Sequence, residues 1–292
     1  MQQLTESIKE SAWMPGLYVV ATPIGNMGDI TVRALDILKK ANLILAEDTR
    51  QTGKLLQYYG INNQIMSLHA HNEQKQLDQV ERLISDNQVI ALVSDAGTPA
   101  ISDPGALLVH HLRQKNLAVF PVPGPNAAIA AMSVSGMISP QFLFYGFLPH
   151  QASNRKSVLN TLCAVDYPVI FYESPHRIKD TLADCEQCFE QDRLFILAKE
   201  MTKVFEHILC AKAADIIDWL TEERCRGEFV LIVLPEKDKQ SDDREEELVR
   251  VLGILLKELP LKQAVKLTVD ILQLRKNTVY AKALEMTKAN ES

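Results

Sequence analysis

Three short segments of this 292-residue chain gather groups able to move protons or hold charge. Glu47-Asp48-Thr49-Arg50 follows the apolar run Leu43 to Ala46, so two carboxylates and a guanidinium stand at the end of a strand candidate. Phe171-Tyr172-Glu173-Ser174-Pro175-His176-Arg177 packs two aromatic rings, a carboxylate, an imidazole and a guanidinium into a strand-to-helix turn. Ala198-Lys199-Glu200-Met201-Thr202-Lys203 is a third such turn. Each is open to two readings, a structural ion pair or a group that orients a polar ligand. Three of them on one rim favour a cleft. Glu173, Lys199 and Glu200 are the members of these turns best suited to orient a polar group or exchange a proton with it.

Other arrangements are weaker. Cys185 and Cys188 form a Cys-x-x-Cys pair, but no second pair or neighbouring His completes a zinc site. They read as one buried helix face, and no metal is expected. His69 and His71 read as a polar loop near the site or as surface histidines. No Gly-x-Gly-x-x-Gly follows the first strand candidate, and no Gly-x4-Gly-Lys-Ser/Thr loop occurs. Both absences argue against dehydrogenases and ATPases.

The elements that must hold these groups alternate. Glycine is scarce, 12 residues, and clusters with proline close behind apolar runs: Thr22-Pro23-Ile24-Gly25-Asn26, Asp95-Ala96-Gly97-Thr98-Pro99, Asp103-Pro104-Gly105 and Pro123-Gly124-Pro125. The runs are rich in β-branched residues and nearly unbroken, as strands buried on both faces should be. Helical-period stretches follow them, which predicts βα units and a mostly parallel sheet. Ligands of such sheets sit at the carboxyl ends of the strands, where these loops lie. A second block predicts strands at 142–145, 169–172, 194–198 and 228–234. Helices are expected at 155–162, 176–189 and 213–222, the second capped by Ser174 with Pro175 in its first turn. The charged stretch 235–247 reads as a solvated linker or helix lead-in, and three short amphipathic helices follow at 248–259, 262–274 and 278–286. The expected domains are residues 14–125, 126–236 and 245–290.

Net charge is −6, which argues against wholesale wrapping of nucleic acid. The distribution is uneven: residues 248–292 carry +4 and the remainder −10. The basic helices read either as a solvated face or as phosphate contacts. No apolar run approaches the ~18 residues of a membrane span. The N-terminus is polar and lacks a signal layout, and the five cysteines fit no disulfide framework. A cytoplasmic protein without membrane contact is the expectation.

Taken together and in order, Thr22-Pro23-Ile24-Gly25-Asn26, Glu47-Asp48-Thr49-Arg50, His69-Ala70-His71-Asn72, Ser94-Asp95-Ala96-Gly97-Thr98-Pro99, Ser102-Asp103-Pro104-Gly105, Val122-Pro123-Gly124-Pro125, Gly146-Phe147-Leu148-Pro149, the turn 171–177 and Gly227 to Val233 resemble bacterial 16S ribosomal RNA (cytidine 2'-O-ribose) methyltransferases. Those belong to the tetrapyrrole-methylase superfamily, and the resemblance spans residues 17–286. It implies a class III methyltransferase: two α/β domains with a cleft between them plus a small C-terminal helical module. It implies S-adenosylmethionine as methyl donor, lined by Thr22, Pro23, Asp95, Ala96, Gly97, Ile101, Ser102, Tyr172, Ala198, Gly227, Glu228 and Phe229. Gly97 and neighbouring backbone groups are expected to hold it. It implies a cytidine ribose of the decoding centre as target, within the assembled small subunit, and a homodimer. Arg50, Arg177, Lys262, Lys266, Arg275 and Lys276 would grip RNA phosphates. Related chains often carry Gly where this one has Gln273. Two other readings compete: methylation of a tetrapyrrole ring, and a ribosome-assembly factor that binds RNA without catalysis.

Overall fold

The computed structural model describes residues 13–236, 239–272, 274 and 276–289. The chain forms two compact units that divide between Pro235 and Glu236. The main unit holds two five-stranded sheets. The first has the order β3-β2-β4-β1-β5 and is parallel throughout: β1 (Gly16–Val20), β2 (Leu43–Ala46), β3 (Ile65–Ser67), β4 (Val89–Val93) and β5 (Val119–Val122). The central strand β4 and its two neighbours, β2 and β1, are almost wholly buried. Helices on both faces of a parallel sheet leave it no wet side, which is why these strands read as unbroken apolar runs.

The helices between them are α1 (Val32–Lys40), α2 (Thr49–Tyr58), α3 (Glu73–Ser85) and α4 (Ala106–Gln114). Their starts are set by local chemistry. Thr31 accepts from the Ala34 N–H to cap α1, and Asp48 accepts from the Arg50 N–H to cap α2. After β5, Asn126 accepts from the Ile129 N–H and starts α5 (Ala127–Ser133).

The second sheet has the order β6-β7-β10-β8-β9, from β6 (Leu143–Phe147), β7 (Val169–Glu173), β8 (Leu194–Lys199), β9 (His207–Lys212) and β10 (Phe229–Val233). Only β6 and β7 pair in parallel; β10 runs antiparallel to both β7 and β8, and β8 antiparallel to β9. The mostly parallel pattern therefore holds for the first sheet and not for the second. Because β10 is reversed, its first residue stands beside the last residues of β7 and β8: Phe229 is in register with Glu173 and with Lys199. Three strand ends thus meet on one edge.

Helices α6 (Ala152–Leu162), α7 (Ile178–Cys188) and α8 (Ala213–Trp219) cover one face of this sheet, over a core that includes Phe171, Leu182, Cys185, Phe195 and Ile216. Helix α7 begins later than expected. Ser174 does not cap it; the Ser174 carbonyl accepts from the Arg177 and Ile178 N–H groups and makes a turn that leads in. On the other face a core joins the two halves, with Ile24, Ala128 and Ala131 packed with Ile170, Ile196 and Val230.

The second unit contains α9 (Lys239–Glu258), α10 (Leu261–Leu272) and α11 (Lys276–Ala289) around Leu248, Leu252, Val265, Val279 and Ala283. The charged stretch before Leu248 is a helix lead-in rather than a linker from Lys239 onward. Gln273 and Arg275 lie outside the described residues. Among the described residues no helix is long and apolar enough to cross a membrane.

Candidate functional site

A cleft of about 370 Å³ opens in the main unit, where the strand ends of both sheets face each other. The first half contributes Ile24 after β1, Glu47 after β2, Asp95 to Thr98, Ile101 and Asp103 after β4, and Asn126 after β5. The second contributes Phe147, Tyr172 to Pro175, Ala198, Met201 and Gly227 to Val230. The location follows the rule for open parallel sheets. The volume lies in the ~300–1,000 Å³ range of small-molecule sites.

The loops are tied down from behind. Thr22 and Gly97 exchange both backbone hydrogen bonds, at 2.8 and 3.0 Å, and the Thr22 hydroxyl donates to the Ser94 carbonyl. Thr22 is therefore buried behind the cleft, and the Gly97 N–H is spent on Thr22 rather than free for a ligand. Pro23 is buried there too. Ser102 is turned toward Gly146, where an added Cβ would meet the Ser102 Oγ at 2.7 Å. Of the twelve residues expected to line the donor, Thr22, Pro23 and Ser102 stand outside the lining, and the other nine are in it.

Between the halves, the Asn26 N–H donates to Thr202 Oγ1 at 3.0 Å and the Ala128 N–H to the Tyr172 hydroxyl at 3.2 Å. Gly227 adopts φ +89°, and a Cβ there would run into the Glu200 carboxylate. Glycine at this position lets two loops of the rim close on each other.

One wall is acidic. The Asp95 carboxylate accepts from the Asp48 N–H at 3.0 Å, and Glu47 accepts from the Asp95 N–H at 3.4 Å. Asp103 stands on the same wall, on a loop strained by positive φ at Ala100 and Ser102. Burial pushes the Asp103 carboxyl up to about 6; a hydrogen bond from Ser94 opposes the rise, and the charges of Glu47 and Asp95 add to it. Burial likewise raises Glu47 and Asp95. Burial raises the Tyr172 hydroxyl, and Asp103 adds to that rise. Asp103 is thus a carboxylate whose protonation changes near neutrality, on a cleft wall. The sequence marks its loop as one of the glycine-proline clusters at the strand ends, but nothing in that pattern singles out the Asp103 carboxylate.

The three catalytic candidates are placed differently. Glu173 lines the cleft, but its side chain is 1% exposed and its oxygens are taken by the Ser174 N–H, Arg177 and the Thr181 hydroxyl at 2.7–2.8 Å. Three of its roughly four lone-pair sites are thus engaged within the fold, and its burial leaves little of it open to a substrate. Glu200 accepts from Lys203 at 2.8 Å and from the Glu228 N–H at 3.0 Å; burial alone would raise it, and these bonds hold it below the usual carboxylate range. Lys199 lies outside this cleft, on the face opposite Ala198.

Among the phosphate-gripping candidates, Arg177 is a poor fit. It is mostly buried and bonded to Glu173 and the Leu148 carbonyl. Arg50 is 86% exposed, clamped to Asp48 at 2.7 Å, and its guanidinium holds the Asp48 carboxyl at about 2. Lys262, Lys266 and Lys276 are exposed on α10 and α11, and Arg275 lies outside the described residues.

Residues 16–217 match the family of Tetrapyrrole (Corrin/Porphyrin) Methylases. The chain belongs to the tetrapyrrole methylase family. The methylase's residues 242–287 match a second model, the RsmI C-terminal HTH domain. The Ribosomal RNA small subunit methyltransferase I of Vibrio cholerae is 47% identical across 93% of the methylase and 95% of its own length. The protein of the same name from Escherichia coli O157:H7 is 45% identical across 92% and 94%. Among solved structures, the methyltransferase CobJ aligns with TM-score 0.58 at 17% identity, covering 77% of the methylase and 95% of its own chain. Cobalt precorrin-4 methyltransferase CbiF aligns with TM-score 0.55 at 15% identity, covering 74% and 93%. At those identities the likeness is one of fold. The family resemblance and the fold class expected from the motifs both hold. The methylase is an S-adenosylmethionine-dependent methyltransferase.

The cleft residues suit that donor. Ile24, Ile101, Phe147, Met201 and Val230 offer an apolar lining for a flat heterocycle, and Glu47, Asp95 and Asp103 face any cationic part with negative charge.

Proposed function

We propose that this methylase transfers a methyl group to the 2'-hydroxyl of a cytidine ribose in the decoding centre of 16S ribosomal RNA. The observation that carries the reading is identity of 42–47% across nine tenths of the chain to proteins named Ribosomal RNA small subunit methyltransferase I, the C-terminal helical unit included. Ring methylation has weaker support, since the tetrapyrrole enzymes share the fold at 14–17% identity. In this reading residues 14–125 and 126–236 jointly hold the donor, and residues 245–290, with Lys262, Lys266, Arg275 and Lys276, meet RNA. The substrate is the assembled small subunit, and the chain works in the cytoplasm as a homodimer.

When bound, S-adenosylmethionine supplies a methyl group already activated by its sulfonium. Asp95, Ala96, Ile101, Tyr172, Ala198, Gly227, Glu228 and Phe229 hold the donor, with Gly97 fixing the loop from behind. The cleft residues orient the ribose hydroxyl, and such positioning lowers a barrier by ~7–11 kcal/mol. Asp103, ionised above about pH 6, takes the hydroxyl proton as the oxygen–methyl bond forms. Glu173 fixes Arg177 and the turn at 174–177, and so shapes the cleft without touching the reacting atoms.

The test is to incubate the chain with labelled donor and either small subunits or a porphyrinoid, then locate the label by mass spectrometry. Label on one cytidine ribose is the expected result. Label on the ring, or RNA binding with no label anywhere, overturns the proposal.

A further inference from the structure

A second cleft of about 660 Å³ is lined by Lys199, Phe205, His207, Trp219, Arg224 and Arg226, and it shares Gly227 with the first. Lys199 is its most telling residue. The residue is only 7% exposed, yet no hydrogen bond or ion pair among the described residues reaches its ammonium. Of the carboxylates that also line the cleft, Glu200 is engaged with Lys203 and the Glu228 N–H and Glu206 with the Thr202 N–H at 2.6 Å, while Glu223 is exposed. Lys199 reaches Glu200 only through its field. Its aliphatic stem is buried, and its ammonium keeps access to the solvent of the cleft. An anion entering the cleft would meet that ammonium.

Stacking surface stands beside that cation. The His207 and Trp219 rings stack at 4.6 Å and 15°, with the Arg224 guanidinium 4.9 Å over the indole. Phe205 is 74% exposed, and Arg226 is exposed too. Cations beside an open aromatic face are what single-stranded nucleic acid binds: phosphate on the charge, base on the ring.

We infer that this second cleft docks a single-stranded RNA segment flanking the nucleotide to be methylated, with a phosphate on Lys199 and Arg226 and an unstacked base on Phe205. The inference rests on the RNA-methylation reading and adds where the strand outside the donor cleft is held.

The test uses the full chain, purified small ribosomal subunits and labelled S-adenosylmethionine. Phe205→Ala and Lys199→Met each raise KM for subunits about tenfold or more. The donor Kd, measured by calorimetry without RNA, stays within twofold of the unaltered chain. Unchanged KM in both variants overturns the inference. If the unaltered chain methylates no subunit RNA, the function reading fails, and ultraviolet cross-linking to the same subunits then reads the cleft independently. Peptides containing Phe205 or Trp219 joined to RNA support docking. Their absence, or their joining to a second copy of the chain, overturns it.

Discussion

Replacing Asp103 with Asn separates the two jobs of the acidic wall. The side chain keeps its size, so the loop of Ala100 to Gly105 and the shape of the cleft persist, but the proton acceptor is gone. A general base contributes roughly 10²–10⁴ in rate, so single-turnover methylation should fall by that factor while donor affinity changes little. The unaltered chain should show a rate that climbs about tenfold for each rise of one in pH below about 6 and levels off above it, and Asp103→Asn should abolish that inflection. Stability should move the other way. The folded carboxyl titrates near 6 against an ordinary 3.8. Between those values the native state binds more protons than the unfolded chain, so stability declines as pH rises from about 4 to about 6 and stays lower at neutrality. Full burial would make this loss about 3 kcal/mol, and screening of a partly exposed group reduces it to roughly 1–2 kcal/mol. Asparagine removes it, so the slow variant should be the more stable one at pH 7.5 and indistinguishable below pH 4. The assay pairs rapid-quench methylation of small subunits with urea denaturation across pH. An Asp103→Asn chain that methylates at the unaltered rate, or keeps the inflection near 6, refutes the base assignment.

Glu173→Gln strands the Arg177 guanidinium against a neutral partner in a buried site. Denaturation should show a loss of roughly 3–5 kcal/mol, with the methylation rate per folded molecule within threefold. Unaltered stability together with lost chemistry would return Glu173 to a catalytic role. Gly227→Ala forces a side chain at φ +89° against the Glu200 carboxylate. It should cost at least ~1–2 kcal/mol of stability and weaken donor binding in calorimetry; unchanged affinity would mean this rim is not part of the donor site. Lys262→Ala and Lys266→Ala, both on the exposed side of α10, should each reduce by about one the slope of log affinity for small subunits against log salt. An unchanged slope would mark that face as merely solvated.

The parallel half was legible because its chemistry is local. Val89 to Val93 and Leu43 to Ala46 are buried on both faces, so the run of residues alone declares the strand. Strand β9 was not legible: His207–Lys212 is an edge strand with an exposed alternating pattern, and its place is fixed by pairing with β8 rather than by its own sequence. The reversal of β10 between β7 and β8 likewise depends on long-range pairing that βα alternation does not encode. In the cleft, the glycine-proline loops announced themselves, but their division of labour did not. Thr22 and Gly97 satisfy each other's backbones, and that is visible only once both strands are in place. Asp103 owes its raised pKa to burial and to Glu47 and Asp95 from other loops. Glu173 drew notice by its aromatic neighbours, although Arg177, four residues on, had already claimed it.

The charge layout bears on how an RNA would approach the proposed site. Three carboxylates share the wall of the donor cleft, and each is pushed upward by burial, a sign that further negative charge is unwelcome there. A phosphodiester drawn deep into that cleft would meet repulsion, whereas a ribose hydroxyl, being neutral, would not. The phosphates must then be held elsewhere. On the proposed reading that work falls to Lys199, Arg224 and Arg226 at the second cleft and, in the C-terminal unit, to the exposed lysines of α10. A target already splayed out by a folded ribosomal particle satisfies this division better than a flexible free strand, which would have to be ordered against a main unit of net charge −6. The same reasoning sets the salt response: raising ionic strength should weaken subunit binding steeply and leave donor binding in the cleft nearly unchanged.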